Sequence, residues 1–140
     1  MLIVSRLVST YEFTYCSFML EKFNRLSKMP IANCVITPKC QSSLDYSVSL
    51  INIWSKESKL SSEHMTVNIV ESKVQLGNNY NVMANLLLPS MWSRKDISSL
   101  QIGLASALAQ YFNVTLQSVH VVTSIINSGL VVEGGKEIKW

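Results

Sequence analysis

The dipeptide Met29-Pro30 contains the residue of this chain whose type and position most clearly suggest a reactive group, the nitrogen of Pro30. It opens a strand-like run over residues 30–36, and twenty-eight residues precede Met29. The chemistry open to Pro30 depends on whether it begins the chain. In mid-chain the proline nitrogen belongs to an amide, so its lone pair is delocalised and it carries no proton. Such a nitrogen can neither accept nor deliver a proton.

The residues that follow predict a β-α-β unit. A first strand is expected over residues 30–37. Pro38, which follows it, disfavours continued sheet pairing. A helix is predicted over 44–59, because apolar residues recur on one face and Ser42 or Ser43 can cap its first turn. A second strand is predicted over 65–70, where apolar and polar residues alternate.

The rest of the chain predicts a second unit of the same kind. The turn residues 77–79 lead into a third strand over 80–88. Residues 93–113 form the clearest predicted helix, with a capping sequence and an acidic residue in its first turn. A fourth strand is expected over 118–126, and a short hairpin around Gly134-Gly135.

Two β-α-β units in tandem predict an α+β fold, with a four-stranded sheet and both helices on one face. The other face then needs a cover, and the strands carry apolar residues on both faces in places. The chain is 48% hydrophobic and only 15% charged. This balance favours a domain that buries further apolar surface in an oligomer.

This pattern resembles the tautomerase superfamily, which includes 4-oxalocrotonate tautomerase and macrophage migration inhibitory factor. The matching residues are Met29-Pro30 with its strand, the passage 60–70 from helix to strand, and the run 114–121. The resemblance covers residues 30–140, the length of the type with two β-α-β units in one chain. It implies a homotrimer with active sites at subunit interfaces, and a small-molecule substrate.

The resemblance also implies that Pro30, exposed by removal of Met29, is the catalytic base. A free proline is a secondary amine with a pKa of about 8, which an apolar pocket lowers towards neutrality. It can then move a proton between carbon and oxygen in a keto-enol tautomerisation, which requires no cofactor. Residues 1–29 are accordingly an N-terminal extension or the product of a mis-assigned start. The alternative is that Pro30 simply begins a strand.

The same resemblance suggests two further site residues. His120 falls where the inhibitory-factor type has a tyrosine in its pocket, and could donate to a carbonyl oxygen or shuttle a proton. It could equally be a strand histidine in a subunit interface. Lys59 lies near the family's substrate-facing lysine, although a solvated lysine at the helix end fits as well.

Four more residues are candidates for substrate binding. Arg94 is the one arginine within residues 30–140. Since the oxalocrotonate type holds a dicarboxylate with more than one arginine, a dicarboxylate substrate is disfavoured here. Tyr80, Trp92 and Trp140 could line a pocket, or they could serve only packing.

Other functional classes lack support in the sequence. The formal net charge is only +3, with no basic run, which argues against nucleic-acid binding. No apolar run approaches the length of a membrane span, so no membrane partner is expected. The three cysteines, Cys16, Cys34 and Cys40, lack metal-ligand spacing and fit a reducing, cytoplasmic compartment.

Two other interpretations compete with that of an enzyme. The first is a non-catalytic oligomeric binding or signalling protein on the same scaffold. The second is an unrelated α+β module that merely dimerises. The true N-terminus decides between enzyme and binding protein most directly, because an internal Pro30 cannot act as an amine base.

Overall fold

A computed structural model describes residues 29–41, 45 and 48–140 of the chain. Its central feature is a four-stranded sheet made of β1, β2, β3 and β4. These strands span Ile31–Ile36, Thr66–Glu71, Val82–Pro89 and Val119–Ile126. In the sheet they lie in the order β2-β1-β3-β4.

The sheet is mixed, and each β-α-β unit contributes one parallel pair of strands. β1 pairs in parallel with β2, and β3 pairs in parallel with β4. The two units meet through the antiparallel pairing of β1 with β3. The α+β architecture expected from the sequence is therefore confirmed.

Within the described ranges, three helices accompany the sheet. A single turn, α1 (Pro38–Gln41), follows β1, and the two crossover helices are α2 (Leu50–Ser58) and α3 (Arg94–Phe112). A 3-10 turn over Leu116–Ser118 leads into β4. The start of α3 is as predicted, since the Ser93 hydroxyl accepts a hydrogen bond from the Asp96 N–H at 3.1 Å.

The predicted start of the first crossover helix was wrong. The helix begins at Leu50 rather than residue 44, because the Ser49 hydroxyl accepts a hydrogen bond from the Asn52 N–H at 3.2 Å and caps it. Val48, which fits the helical spacing, lies before this cap and is 45% exposed. The two serines expected to cap the helix, Ser42 and Ser43, lie outside the described residues.

The core lies between the helices and one face of the sheet. Inward side chains of β1 and β3 pack there against the apolar faces of α2 and α3. Trp54 is fully buried, and its indole Nε1 donates to the carbonyl oxygen of Leu100 at 3.0 Å, which joins the two helices. The helices also approach closely at Gly103, where an added Cβ would lie 2.8 Å from the backbone nitrogen of Ser58.

The opposite face of the sheet is only partly covered. Asn33 occupies its middle row, in register with Asn68 and Asn85, and the Asn68 Nδ2 donates to the Asn33 Oδ1 at 2.8 Å. Apolar side chains flank this row, including Val70, which is 61% exposed, and Met83, which is 37% exposed. This face therefore carries exposed apolar side chains beside a row of asparagines.

The chain continues past β4 into a hairpin of β5 (Val131–Glu133) and β6 (Lys136–Ile138). Its turn contains Gly134 and Gly135, both at positive φ, a combination that glycine adopts without strain. The predicted hairpin is therefore present. Within the part of the chain that the structure describes, no helix is both long and apolar enough to span a bilayer.

Candidate functional site

Pro30 lies at one end of the sheet, immediately before β1. It is buried, and its carbonyl oxygen accepts a hydrogen bond from the Thr66 N–H at 3.0 Å. The register places Ile31 beside Leu87, and Leu87 beside Ser124. The start of β1 and the last residues of β3 and β4 therefore meet at this end, called here the Pro30 end.

An apolar pocket of about 210 Å³ opens at the Pro30 end. Both chain neighbours of Pro30, Met29 and Ile31, line it. The other walls come from the less covered face of the sheet and from the segment that includes the hairpin: Leu87, Pro89, Ile126, Leu130, Val131 and Trp140. None of these described lining residues carries a charged side chain.

Trp140 is held over this pocket by two hydrogen bonds. Its indole Nε1 donates to the Ser90 hydroxyl at 2.9 Å, and its backbone N–H donates to the Ser128 hydroxyl at 2.8 Å. The Ser90 N–H in turn donates to the carbonyl oxygen of Ile126 at 2.9 Å. These contacts link the segment after β4 to the end of β3, so the indole forms one wall of the pocket.

Three of the predicted site residues belong to the same end of the sheet. Lys59 caps the C-terminus of α2 in the left-handed conformation, with φ of 59°, and precedes the loop into β2. Arg94, which is exposed, is the first residue of α3. Trp92 is half-buried before α3, and its indole Nε1 is buried without a hydrogen-bond partner among the described residues.

The other two predicted site residues, Tyr80 and His120, lie at the opposite end of the sheet. Their rings stack with centroids 4.8 Å apart. His120 registers with Met83 near the start of β3, four positions along β4 from Ser124, which is level with Ile31. Four residues of strand span about 13 Å, so His120 and Pro30 of one chain do not face a common small ligand.

His120 also borders an open groove of about 650 Å³ between α3 and β4. The carboxylate of Glu57 lies along this groove and accepts hydrogen bonds from Gln110 Nε2 at 2.8 Å and from the Ser106 hydroxyl at 3.1 Å. These hydrogen bonds lower the pKa of Glu57, and the one from Gln110 has the larger effect. The carboxylate therefore serves to link α2 to α3.

Two of the cysteines lie within the described residues, and both are buried. Cys34 is 1% exposed in the core, and its burial raises the thiol pKa to about 12. Cys40 is also a buried free cysteine. The expectation that Cys34 is a small buried core residue is confirmed.

The sequence analysis missed most of the pocket walls. Leu87 and Ile126 fit the alternation of their strands, but only the pairing of distant strands shows that they end at the same place as Pro30. Leu130 and Val131 precede the glycine turn that predicted the hairpin. That turn does not indicate which part of the sheet the segment covers.

Comparison by sequence finds no match, either to a family model or to a curated protein. Solved structures do resemble the chain. The R7 fused 4-OT wild-type asymmetric trimer matches with a TM-score of 0.60 and 16% identity, over 77% of this chain and 95% of that chain. The structure of Pt0534 inactivated by 2-oxo-3-pentynoate matches with a TM-score of 0.56 and 11% identity, over 78% of this chain and 94% of that one.

A third similar structure is Leishmania major MIF2, with a TM-score of 0.54 and 9% identity, over 78% of this chain and 97% of that one. Identities this low establish similarity of fold, and the coverage shows that nearly the whole of each compared chain takes part. The resemblance first indicated by Met29-Pro30 and the repeated β-α-β pattern is confirmed at that level. This chain has the fold of the tautomerase superfamily.

Proposed function

We propose that this protein is a tautomerase or isomerase that catalyses keto-enol proton transfer on a small α-keto or enol acid, with Pro30 as the general base. The proposal requires that the mature domain begins at Pro30, with residues 1–29 removed or never translated. The observation that carries it is the position of Pro30. This residue is buried immediately before β1, and Ile31, the chain neighbour that processing retains, lines an apolar pocket.

The surroundings of Pro30 favour this chemistry. An amine at the edge of an apolar pocket is less readily charged than one in water, so its pKa falls and its free base is available near neutral pH. That base removes the proton α to a carbonyl and returns it to oxygen or to another carbon. The developing enolate needs a cation or donor, and Lys59 and Arg94 lie at the same end of the sheet.

We propose that His120 joins this site from a neighbouring copy of the chain. Within one chain, the register keeps His120 about 13 Å along the strand from the level of Pro30. A homotrimer would bring the two ends together across subunit interfaces and would cover the exposed apolar side chains of the sheet. The similar fused 4-OT structure is itself a trimer.

The N-terminus provides the first test. Intact-mass measurement on the native protein should give a chain that begins at Pro30. A chain expressed from Met29 should enolise phenylpyruvate, Pro30→Ala should lose most of that activity, and Pro38→Ala, at the other end of β1, should retain it. The 140-residue chain should be inactive, because its Pro30 nitrogen is an amide.

The reagent 2-oxo-3-pentynoate offers an independent test, since Pt0534 is a similar fold that it inactivates. The reagent carries an electrophilic alkyne, which a free amine attacks. We expect one adduct on Pro30 of the processed chain and none at that position in the 140-residue chain. A native protein that begins at Met1 would refute the proposal.

The second candidate is a non-catalytic oligomeric binding or signalling protein. The amide state of Pro30 in the 140-residue chain favours it, and so do the exposed apolar side chains of the sheet, such as Val70. A chain that begins at Pro30 but enolises no keto acid would support this candidate. Both candidates agree with a cytoplasmic location, which we propose from the free thiols of Cys34 and Cys40.

A further inference from the structure

We infer that a row of three asparagines on the less covered face of the sheet fixes the register in which copies of this chain pack together. The row, called here the asparagine row, consists of Asn33, Asn68 and Asn85, which lie level on three neighbouring strands. The inference rests on the assembly of copies in the proposed function. It adds which side chains decide how those copies are aligned.

The asparagine row is unexpected in a sheet. Asparagine is depleted in strands, where β-branched and aromatic residues are favoured. Here three of them stand side by side, with Asn33 in the middle because β1 lies between β2 and β3. All three side chains are exposed in the single chain. Three such residues in one row are unfavourable within the sheet itself, so their role lies in what the face contacts.

The asparagine row lies between apolar side chains. On one side, Val35 is level with Val70 and Met83, and the exposed fractions of these three are 40%, 61% and 37%. On the other side, Ile31 is level with Leu87, and both are half-buried. Exposed apolar surface of this kind is typical of a contact with another protein. A partner seated on this face therefore removes the amides from water together with their apolar neighbours.

The hydrogen-bonding groups of the row identify the partner as a second copy of the chain. Each side-chain amide has two N–H donors and a carbonyl oxygen that accepts. The Asn68 Nδ2 donates to the Asn33 Oδ1 at 2.8 Å, which uses one donor and one acceptor of the row. The row still offers both donors and acceptors, without charge. A second copy presents the same combination, so the row is complementary to itself.

Pairing of amides between copies favours one register. A shift of the partner along a strand by two residues, about 7 Å, would place the amides against apolar side chains. A buried amide without a hydrogen bond is unfavourable, so the shifted contact is less stable than the aligned one. The register matters to the proposed site, because Pro30 of one copy has to meet His120 of the next. The asparagines are thus positioning residues.

Asn85→Asp tests whether the row lies in a contact between copies. The substitution keeps the size of an exposed side chain, so the single chain should fold normally. Carboxylates brought together between copies would repel each other and lose hydration. Sedimentation of the full 140-residue chain, and of the chain expressed from Met29, should show that the dissociation constant for assembly rises by about a hundredfold or more.

Asn52→Asp is the matched control. Asn52 is an exposed residue of α2, which packs on the other face of the sheet. The same change of charge there should leave assembly as in the wild type.

Asn33→Leu separates the register from the attraction between copies. Leucine retains an apolar contact but removes the amide. The variant should still assemble, and native mass spectrometry should show several oligomeric states where the wild type shows one. In processed chains its kcat/KM for phenylpyruvate should fall by about tenfold or more, because Pro30 and His120 are no longer aligned in every contact. Asn52→Leu should retain the single state and the activity.

Three results would overturn the inference. The first is a wild type that is monomeric at both chain lengths, which would mean that another partner covers this face. The second is equal assembly of Asn85→Asp and Asn52→Asp. The third is a single oligomeric state and full activity for Asn33→Leu. If both asparagine variants change the assembly as expected but the processed wild type does not enolise phenylpyruvate, only the proposed function is refuted.

Discussion

Tyr80 and His120 stack with their ring centroids 4.8 Å apart and their planes inclined by 28°. Tyr80 is itself held by its loop, because its N–H donates to the Gln75 Oε1 at 2.7 Å and its hydroxyl accepts from the Asn78 Nδ2 at 3.1 Å. The imidazole of His120 therefore stacks on an aromatic ring whose position is fixed by hydrogen bonds. This pair lies at the end of the sheet away from Pro30, so one chain carries two separated parts of the proposed site.

This separation predicts that two inactive variants restore activity to each other. In processed chains, Pro30→Ala and His120→Ala should each lower kcat/KM for phenylpyruvate, the latter by about a hundredfold if His120 acts as a general acid. Oligomers formed from an equal mixture contain sites with Pro30 from one copy and His120 from the next. With random mixing, about a quarter of the sites are complete, so about a quarter of the activity should return.

His64→Ala is the control for this experiment, because His64 lies before β2 and is not among the residues proposed for the site. Mixed with Pro30→Ala, it should give the activity expected from its own intact sites. Mixtures of the Pro30 and His120 variants that stay inactive, although mass spectrometry shows mixed oligomers, would show that His120 does not complete the site of a neighbour.

The fold was predictable because its signals are local. The hydrophobic period and the Ser93 cap identified α3, and the glycine pair identified the hairpin. The start of α2 was not predictable in the same way. Residues on both sides of Ser49 fit a helical spacing, and the choice of cap depends on which serine hydroxyl meets a free N–H.

The site was less predictable than the fold, for a physical reason. Its walls come from the ends of strands that are far apart in the sequence and pair in the sheet. They also come from the segment after β4, in which Trp140 donates hydrogen bonds to the Ser90 and Ser128 hydroxyls. A single sequence does not show that Leu87 and Ile126 lie close to Ile31. The resemblance to the tautomerase superfamily suggested Tyr80 and His120 for the same site as Pro30, and within one chain the fold places them at the opposite end of the sheet.

The close approach of α2 and α3 gives a prediction opposite to ordinary helix propensity. Gly103→Ala would normally stabilise a helix by about 1 kcal/mol. Here the new methyl group would meet the Ser58 backbone nitrogen at 2.8 Å and its Cα at 2.9 Å. We expect a loss of about 1–3 kcal/mol in the free energy of unfolding, measured with urea.

Ser58→Ala should not rescue Gly103→Ala, since two of the atoms in the way belong to the backbone. Ser98→Ala, at an exposed position of the same helix, is the matched control and should change stability by only a few tenths of a kcal/mol. A stabilised Gly103→Ala variant would mean that the two helices are further apart.

The cap of α3 can be tested against the same control. Ser93→Ala removes the acceptor of the Asp96 N–H and should lower the free energy of unfolding by about 1 kcal/mol. Ser93→Asp should retain most of the wild-type stability, because a carboxylate accepts the same hydrogen bond and interacts favourably with the positive end of the helix dipole. Equal stability of Ser93→Ala and Ser98→Ala would contradict the cap.

Cys34 predicts a loss of stability at high pH. Its burial raises the thiol pKa from 9.0 to about 12, because the thiolate is disfavoured in the core. The folded chain therefore holds this proton to a higher pH than the unfolded chain does. The contribution of the protonated thiol to the free energy of unfolding is complete below pH 9.0. It is lost as the pH rises from there to about 12.

Urea unfolding of the wild type and of Cys34→Ala, under reducing conditions, measures this contribution. The variant is less stable at about pH 8, since it leaves a small cavity in the core. Between about pH 9 and pH 10.5, however, its free energy of unfolding should fall less than that of the wild type, by an amount on the order of 2 kcal/mol. Parallel pH dependences would mean that Cys34 titrates alike in the folded and unfolded chains, and that the core around β1 is open to water.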